Sequence, residues 1–260
     1  MTLNIKQNST YQTLLILQRE EDYLYGGLCI SCKTFDELVL THHQFLHINE
    51  KKYFADILNK KRQYSYLLGR YCAKSAAEIS GNTNDPISID IQPGVFSQPI
   101  IYSSSPAVKN LQISISHTKL MGAALVFPEA HPMGIDLELM DTERETEIGY
   151  LTTTEEKKLV KCFSDNAIFW HTVLWSAKEA LSKALRSGLM VTPSILEASS
   201  IIIEDGVVKT YFKHFAQYRA LSFPIDNHVC SIALPHKTNL KINIETIKSF
   251  FTSKICCVEK

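Results

Sequence analysis

The sequence has no run of 18 uninterrupted apolar residues, so it offers no transmembrane helix. It has no basic excess, because 27 Lys and Arg stand against 27 Asp and Glu. That balance excludes a surface built as a whole for nucleic acid or anionic membrane, while leaving room for a local basic site. The opening stretch MTLNIKQNSTYQTLLILQREED lacks a positively charged start followed by a long apolar run. It does not read as a signal peptide, and a cytoplasmic setting is expected. The seven cysteines are odd in number and scattered, so reduced thiols are expected. Cys29 and Cys32 form a CxxC, but no second Cys/His pair stands at zinc-finger spacing. Buried small residues are the plain reading of that pair. What is present is 260 residues, 45% apolar and 21% charged, enough for one large domain or two small ones with a real core.

The pattern along the chain is mixed α/β. LLILQ (14–18) and YGGLCIS (25–31) suggest two strands. Residues 49–80 have helical spacing, with Phe54, Ile57, Leu58, Leu68, Cys72 and Ala76 able to face inward. After the loop at 81–86, strands are expected at 87–91, 111–116, 121–127 and 133–140. Residues 153–187 form a second helical block. Thr153 and Glu156 offer a capping box, and Trp170, Leu174, Ala177, Leu181 and Leu185 form an apolar stripe. Strand-like runs follow at 200–204, 207–212 and 229–234, and the last twenty residues read as a polar, Lys-rich tail or peripheral helix. A faint repeat is visible at an offset of 106 residues: Glu50-Lys-Lys matches Glu156-Lys-Lys, Tyr64 meets Trp170, and Leu68 meets Leu174. It suggests two similar α/β halves, residues 1–130 and 131–260, with a site in the cleft between them.

Three stretches carry candidate chemistry. In GIDLE (134–138) strand alternation places Asp136 and Glu138 on one face, roughly 7 Å apart at their bases. That is a workable bite for Mg²⁺, which takes one or two carboxylates together with water and phosphate oxygens. The same spacing also describes a half-exposed strand with a solvated acidic face. In WSAKEALSKAL (175–185) Glu179 and Lys183 are i and i+4 on a helix, pointing away from the apolar stripe. Alone they describe an ordinary surface pair. In ISISHT, Ser114 and Ser116 alternate with isoleucines, and His117 stands at the strand end, where α/β folds carry ligand contacts. Taken together, the set suits phosphate chemistry: carboxylates for a metal, cations and His for phosphate oxygens, and a Glu to take a hydroxyl proton.

These residues resemble the 4′-phosphopantetheinyl transferase superfamily, in particular its surfactin-synthetase-activating type. GIDLE followed 37 residues later by WSAKEALSKAL is similar to the family's G-[IV]-D-x-E strand and W-[SCT]-x-K-E-[AS]-x-x-K helix. ISISHT resembles its S-x-S-H motif and LLGRYCAKSA (67–76) its L-x-G-R-x-L-x-K helix. Three positions depart. VFSQP has Ser97 and Gln98 where the family has Gly and Lys in G-K-P, and Arg186 stands where a Gly is usual.

The resemblance implies a pseudo-dimer of two α/β halves that takes coenzyme A and moves its 4′-phosphopantetheine arm to a Ser of an acyl or peptidyl carrier protein. Adenosine 3′,5′-bisphosphate would be the leaving product. Asp136, Glu138 and Glu179 would hold Mg²⁺, with Mn²⁺ as an alternative. Glu179 would deprotonate the carrier Ser, and Lys183 would offset phosphate charge. Lys178 and His117 would help hold the pyrophosphate, and Lys61, Arg62 and Ser116 would meet the nucleotide end. The missing Lys at position 98 weakens one donor contact. A monomer is expected, with no nucleic-acid or membrane partner; the carrier's docking place is left open, with the residues between Met140 and Thr154 as candidates. Two rival readings are a binding-only relative that grips a carrier without turnover and a metal-dependent nuclease.

Overall fold

A computed structural model describes residues 9–81, 85–103, 105–144, 149–163, 166–188 and 191–255. The first half runs β1 (Thr10–Arg19), β2 (Asp22–Ser31), α1 (Phe35–Thr41), α2 (Ile48–Asp56), α3 (Lys60–Ile79), β3 (Asp90–Pro93), β4 (Pro99–Tyr102), β5 (Leu111–His117) and β6 (Gly122–Pro128). The second runs β7 (Gly134–Leu139), α4 (Thr154–Lys161), α5 (Ala167–Ala184), β8 (Ala198–Glu204), β9 (Val207–Phe212), β10 (Tyr218–Ile225) and β11 (His228–Pro235). Strand β12 (Asn239–Lys241) and helix α6 (Ile244–Ile255) close the chain.

Two antiparallel five-stranded sheets result, ordered β12-β1-β2-β6-β5 and β7-β11-β10-β9-β8, with β3 and β4 as a separate hairpin. Strand alternation sorts the side chains into layers. Leu28, Ile30, Leu125, Ile135, Leu137, Phe223 and Ile232 meet in one core between the sheets. Cys29, Ala124 and Val126, one residue out of phase, turn to the outer face and meet Leu68, Cys72 and Ala76 of α3. On the other sheet Ala220 and Ala233 meet Ala177, Ala180 and Leu181 of α5. The architecture is therefore helix, sheet, sheet, helix, an α/β fold built from two similar halves. The CxxC follows the same alternation: Cys29 packs under α3, while Cys32 packs toward the inter-sheet core. Cys256 and Cys257 lie outside the described residues.

The repeat has a physical basis. Helices α2 and α4 each open with a capping box whose N3 residue is a buried Glu, Glu50 and Glu156. Glu50 accepts from its cap's N–H (His47, 2.8 Å), from Ile91 N–H (3.0 Å) and from Lys74 Nζ (2.9 Å). Glu156 accepts from its cap's N–H (Thr153, 2.8 Å), from Ala198 N–H (2.8 Å) and from Lys178 Nζ (2.7 Å). In each half one carboxylate ties a short helix, a long helix and the following strand together.

Four expectations change. The helix expected over 49–80 breaks at 57–59, where Asn59 caps α3 by accepting Arg62 N–H, so Leu58 is 97% exposed rather than inward. Residues 86–88 form a 3₁₀ turn, and the strand begins at Asp90. Strand β10 was not legible, because Pro224 argues against a central strand. Its ladder with β9 covers only Arg219 to Ser222, so Pro224 lies beyond it. The final segment is more than a peripheral tail: β12 pairs with β1, and Ile247 and Phe251 are fully buried in the inter-sheet core.

The two sheets also meet edge to edge. Ser114 Oγ and Ser116 Oγ of β5 accept the N–H groups of Ile135 (3.0 Å) and Leu137 (3.2 Å) of β7. Hydroxyls, not a backbone ladder, stitch this seam.

Candidate active site

The seam leads directly to the acidic strand. Because Ile135 and Leu137 face the inter-sheet core, Asp136 and Glu138 must face the other way, toward α5. Helix and strand approach closely there. A Cβ on Gly134 would stand 2.0 Å from the Ala180 carbonyl oxygen, so only glycine permits this contact.

Asp136 is 3% exposed. Its Oδ1 accepts from Ser116 Oγ (2.9 Å) and from Lys183 Nζ (2.7 Å), and Lys183 also donates to the Ile135 carbonyl (3.1 Å). Its Oδ2 is buried without a hydrogen-bond partner. Glu138 Oε1 accepts the Trp175 indole N–H at 3.1 Å. Trp175, Glu179 and Lys183 recur at four-residue spacing, so one face of α5 covers the two strand carboxylates. That face read as a solvated surface in the sequence. It is instead half-buried against β7, and Lys183 keeps 27% side-chain exposure.

Electrostatics follow from this crowding. Burial, then the charges of Asp136 and Glu138, raise the Glu179 carboxyl to about 7, and Lys183 opposes the rise only in part. His117 lines the cavity beside the seam, and desolvation followed by the nearby Lys183 lowers its pKa.

That cavity measures about 980 Å³. Lys61, Arg62, His117, Lys119, Glu138 and Asp141 line it, so the expected nucleotide-end cations, the strand-end His and two acidic residues share one wall system. Arg62 also donates to Tyr53 Oη (2.9 Å). A second cavity of about 200 Å³ opens on the far side of Lys183, between α5 and the 96–99 loop. The loop and the helix end share a conformation there. Ser97 has φ +63° and Arg186 φ +55°, at the two positions where the resembling family has glycine. A non-glycine residue in this region carries about 1–3 kcal/mol of strain.

Two expected site residues point elsewhere. Lys178 is 2% exposed, and its ammonium donates to Glu156 (2.7 Å) and to the Leu151 carbonyl (3.2 Å), so it does not reach the cleft. One position on a helix is a turn of about 100°, enough to separate it from Glu179. Ser116 is buried in the seam between Leu137 and Asp136, so it holds a carboxylate in place rather than lining the cavity. Residues 145–148, in the candidate segment for carrier docking, lie outside the described residues. Nearby Asp141 places an acidic group on the cavity rim.

Sequence reasoning missed three contributors. Trp175, which orients Glu138, was visible as the residue four before Glu179. Lys119 had no signal beyond its place two after His117. His228 is buried on β11, and its Nε2 stands 3.1 Å from Thr118 Oγ1, which also accepts Leu120 N–H (3.3 Å) and Met121 N–H (3.2 Å) and so organises the turn after His117. Nothing local connects residues 118 and 228.

The residues fit a divalent cation in part. The orphaned Asp136 Oδ2 and the mutual repulsion that lifts Glu179 are both what a cation would relieve. Among the described residues, however, no three His, Cys, Asp or Glu side chains are gathered into a ready-made metal site, and Lys183 holds Asp136 Oδ1. No helix among the described residues is long and apolar enough to cross a membrane.

Comparison with known proteins places this arrangement. No curated protein matches the chain. Among solved structures, the holo-(acyl-carrier-protein) synthase of Bacillus anthracis str. Ames, in complex with CoA (3′,5′-ADP), is 18% identical, with TM-score 0.34, over 44% of this chain and 96% of its own. The holo-ACP-synthase of Plasmodium yoelii is 16% identical, with TM-score 0.33, over 46% of this chain and 97% of its own. Residues 132–233 match the family model ACPS, the 4′-phosphopantetheinyl transferase superfamily, and this stretch contains β7 and α5 entire. Over residues 132–233 the chain is similar to the 4′-phosphopantetheinyl transferase superfamily.

Proposed function

We propose that this protein transfers the 4′-phosphopantetheine arm of coenzyme A to a serine of an acyl or peptidyl carrier protein, as a transferase of the surfactin-synthetase-activating type. The observation that supports this best is the convergence of Glu179, Lys183 and Asp136 beside a cavity lined with Lys61, Arg62, Lys119 and His117. Before a cation binds, the Glu179 carboxyl stands at about 7, raised by burial and by the Asp136 charge, so the group is poised to exchange a proton near neutral pH.

In this reading Lys61, Arg62 and Lys119 hold the nucleotide end in the larger cavity. His117 donates a hydrogen bond to a pyrophosphate oxygen. The carrier's serine oxygen attacks the phosphorus that bears the pantetheine arm, and its proton passes to Glu179. The bond from that phosphorus to the bridging oxygen breaks, and adenosine 3′,5′-bisphosphate leaves with the electron pair. Lys183 sits where negative charge grows, and its fixed bond to Asp136 keeps it there. Ser116 and Trp175 act earlier in the chain of support, holding Asp136 and Glu138 at the angles seen. Asp136, Glu138 and Glu179 would hold Mg²⁺, which when bound supplies positive charge to the pyrophosphate oxygens.

The test is intact-mass analysis of an apo carrier protein incubated with this protein, coenzyme A and Mg²⁺. A gain of one phosphopantetheine arm, lost on adding EDTA or on Asp136→Ala, is the expected outcome. A folded sample that binds coenzyme A yet modifies neither acyl nor peptidyl carriers would overturn the proposal in favour of a binding-only role.

A further inference from the structure

The smaller cavity was not anticipated as a site. It lies between α5 and the 96–99 loop, and its walls include Ile113, Ile115, Phe127 and Met133. Two cations line it, Lys183 and Arg186, and no carboxylate does. Lys183 already shares its charge with Asp136. Arg186, exposed to solvent at the cavity wall, is the second cation.

Its backbone adds a second, independent observation. Arg186 occupies a left-handed conformation that glycine would take freely. A side chain at this position carries strain that glycine would not, as at Ser97 in the facing loop. The facing loop cannot supply the charge. It contributes Gln98, whose amide oxygen is engaged by Phe96 N–H at 2.9 Å.

We propose that Arg186 binds a phosphate group of the donor, as the cation of the second cavity, one turn beyond Lys183. The proposal rests on the transferase reading above. A guanidinium offers a planar fork of donors that matches phosphate oxygens better than an ammonium does. The shared chemistry is a phosphate monoester or pyrophosphate oxygen. In the transferase reading the nucleotide end lies in the larger cavity, so the oxygen expected here is one of the pyrophosphate beside Lys183.

The test is isothermal titration calorimetry on the full chain with three ligands: coenzyme A, 4′-phosphopantetheine and adenosine 3′,5′-bisphosphate. Arg186→Gly is the variant, because glycine accepts the local backbone and the fold should lose nothing. Coenzyme A should bind about tenfold more weakly or worse, the size of one lost charge-assisted contact. The melting temperature should not fall. Adding Gln98→Lys on that background should recover most of the loss, because the new ammonium faces the same cavity. A parallel loss with 4′-phosphopantetheine places the contact at the arm phosphate, and a parallel loss with adenosine 3′,5′-bisphosphate places it at the nucleotide end. Coenzyme A binding within twofold of wild type would overturn the assignment of Arg186 while leaving the transferase reading intact. A wild-type chain that binds none of the three would overturn both.

Discussion

Lys178→Met separates a structural role for this residue from a substrate role. Glu156 is fully buried, and its carboxylate accepts from Lys178 Nζ and from the backbone N–H groups of Thr153 and Ala198. Methionine keeps the length of the side chain and removes its charge, which strands the carboxylate in the core. Deleting one partner of a buried pair costs about 3–5 kcal/mol, and the two surviving N–H donors put this case near the lower end, about 3 kcal/mol. Whole-domain stability is only about 5–15 kcal/mol. With a urea slope of about 2–3 kcal/mol/M, the midpoint should fall by about 1–1.5 M. Glu156→Gln should cost a similar amount, because it leaves a buried ammonium instead. The double variant carries no charge at all, so its loss should fall short of the sum by about 2 kcal/mol, within the range seen for residues in direct contact. Equilibrium urea unfolding of the four proteins supplies every term. Turnover of folded Lys178→Met should show an unchanged KM for coenzyme A. A stability loss below about 1 kcal/mol together with a raised KM would refute the reasoning, since it would mean that the ammonium reaches substrate.

Three further outcomes are expected. Glu179→Gln should lower kcat about 100-fold or more. It should also stabilise the fold at pH 8 by about 1–2 kcal/mol, less than the full linkage value because solvent screens a part-exposed carboxylate. The sign follows from the raised pKa. The unfolded chain ionises near 4.5 and the folded chain near 7, so the penalty on the folded state grows as pH rises through that window and is absent below it. Urea unfolding at pH 4 and pH 8 checks this, and an equal effect at both would contradict it. Asp136→Asn should lower the Glu179 pKa, because the Asp136 charge is one cause of the rise; NMR titration of the Glu179 side-chain carbon reads the shift, and an upward move would count against it. Gly134→Ala should cost about 2–3 kcal/mol, since the new methyl meets a helix carbonyl that cannot retreat without moving α5. A loss under about 0.5 kcal/mol in the same urea assay would show that the strand and helix have room to part.

Much of this was legible because alternation is a strong constraint. Once Ile135 and Leu137 are assigned inward, Asp136 and Glu138 have only one face left. The same holds for Thr153 and Glu156, whose capping box is present as expected. What a face meets is a different question. The Trp175, Glu179 and Lys183 face is polar, and polarity reads as solvent until β7 is laid beneath it. Lys178 sits beside Glu179 in sequence, and adjacency suggested a shared role, but helical rotation sends it into the core. Its partner, Glu156, lies 22 residues away. The twin pair of Glu50 with Lys74 was hidden in the same way, although the Glu-Lys-Lys repeat hinted at it. At the chain's end, Ile244, Ile247, Phe251 and Ile255 recur at helical spacing, but the polar residues between them drew the reading toward a peripheral element.

The hydroxyl seam between β5 and β7 has a mechanical consequence. A backbone ladder slides only in whole-residue steps, because each N–H needs the next carbonyl in register. A joint made of two serine hydroxyls has no such detents, and an Oγ can rotate to follow its partner through a fraction of an ångström. At this edge the two halves are thus joined by hydroxyls, alongside the packed core that they share between the sheets. Ser116 belongs to that joint and also grips Asp136. A shift of β5 against β7 would therefore displace Asp136 as well, because one hydroxyl holds both the strand and the carboxylate.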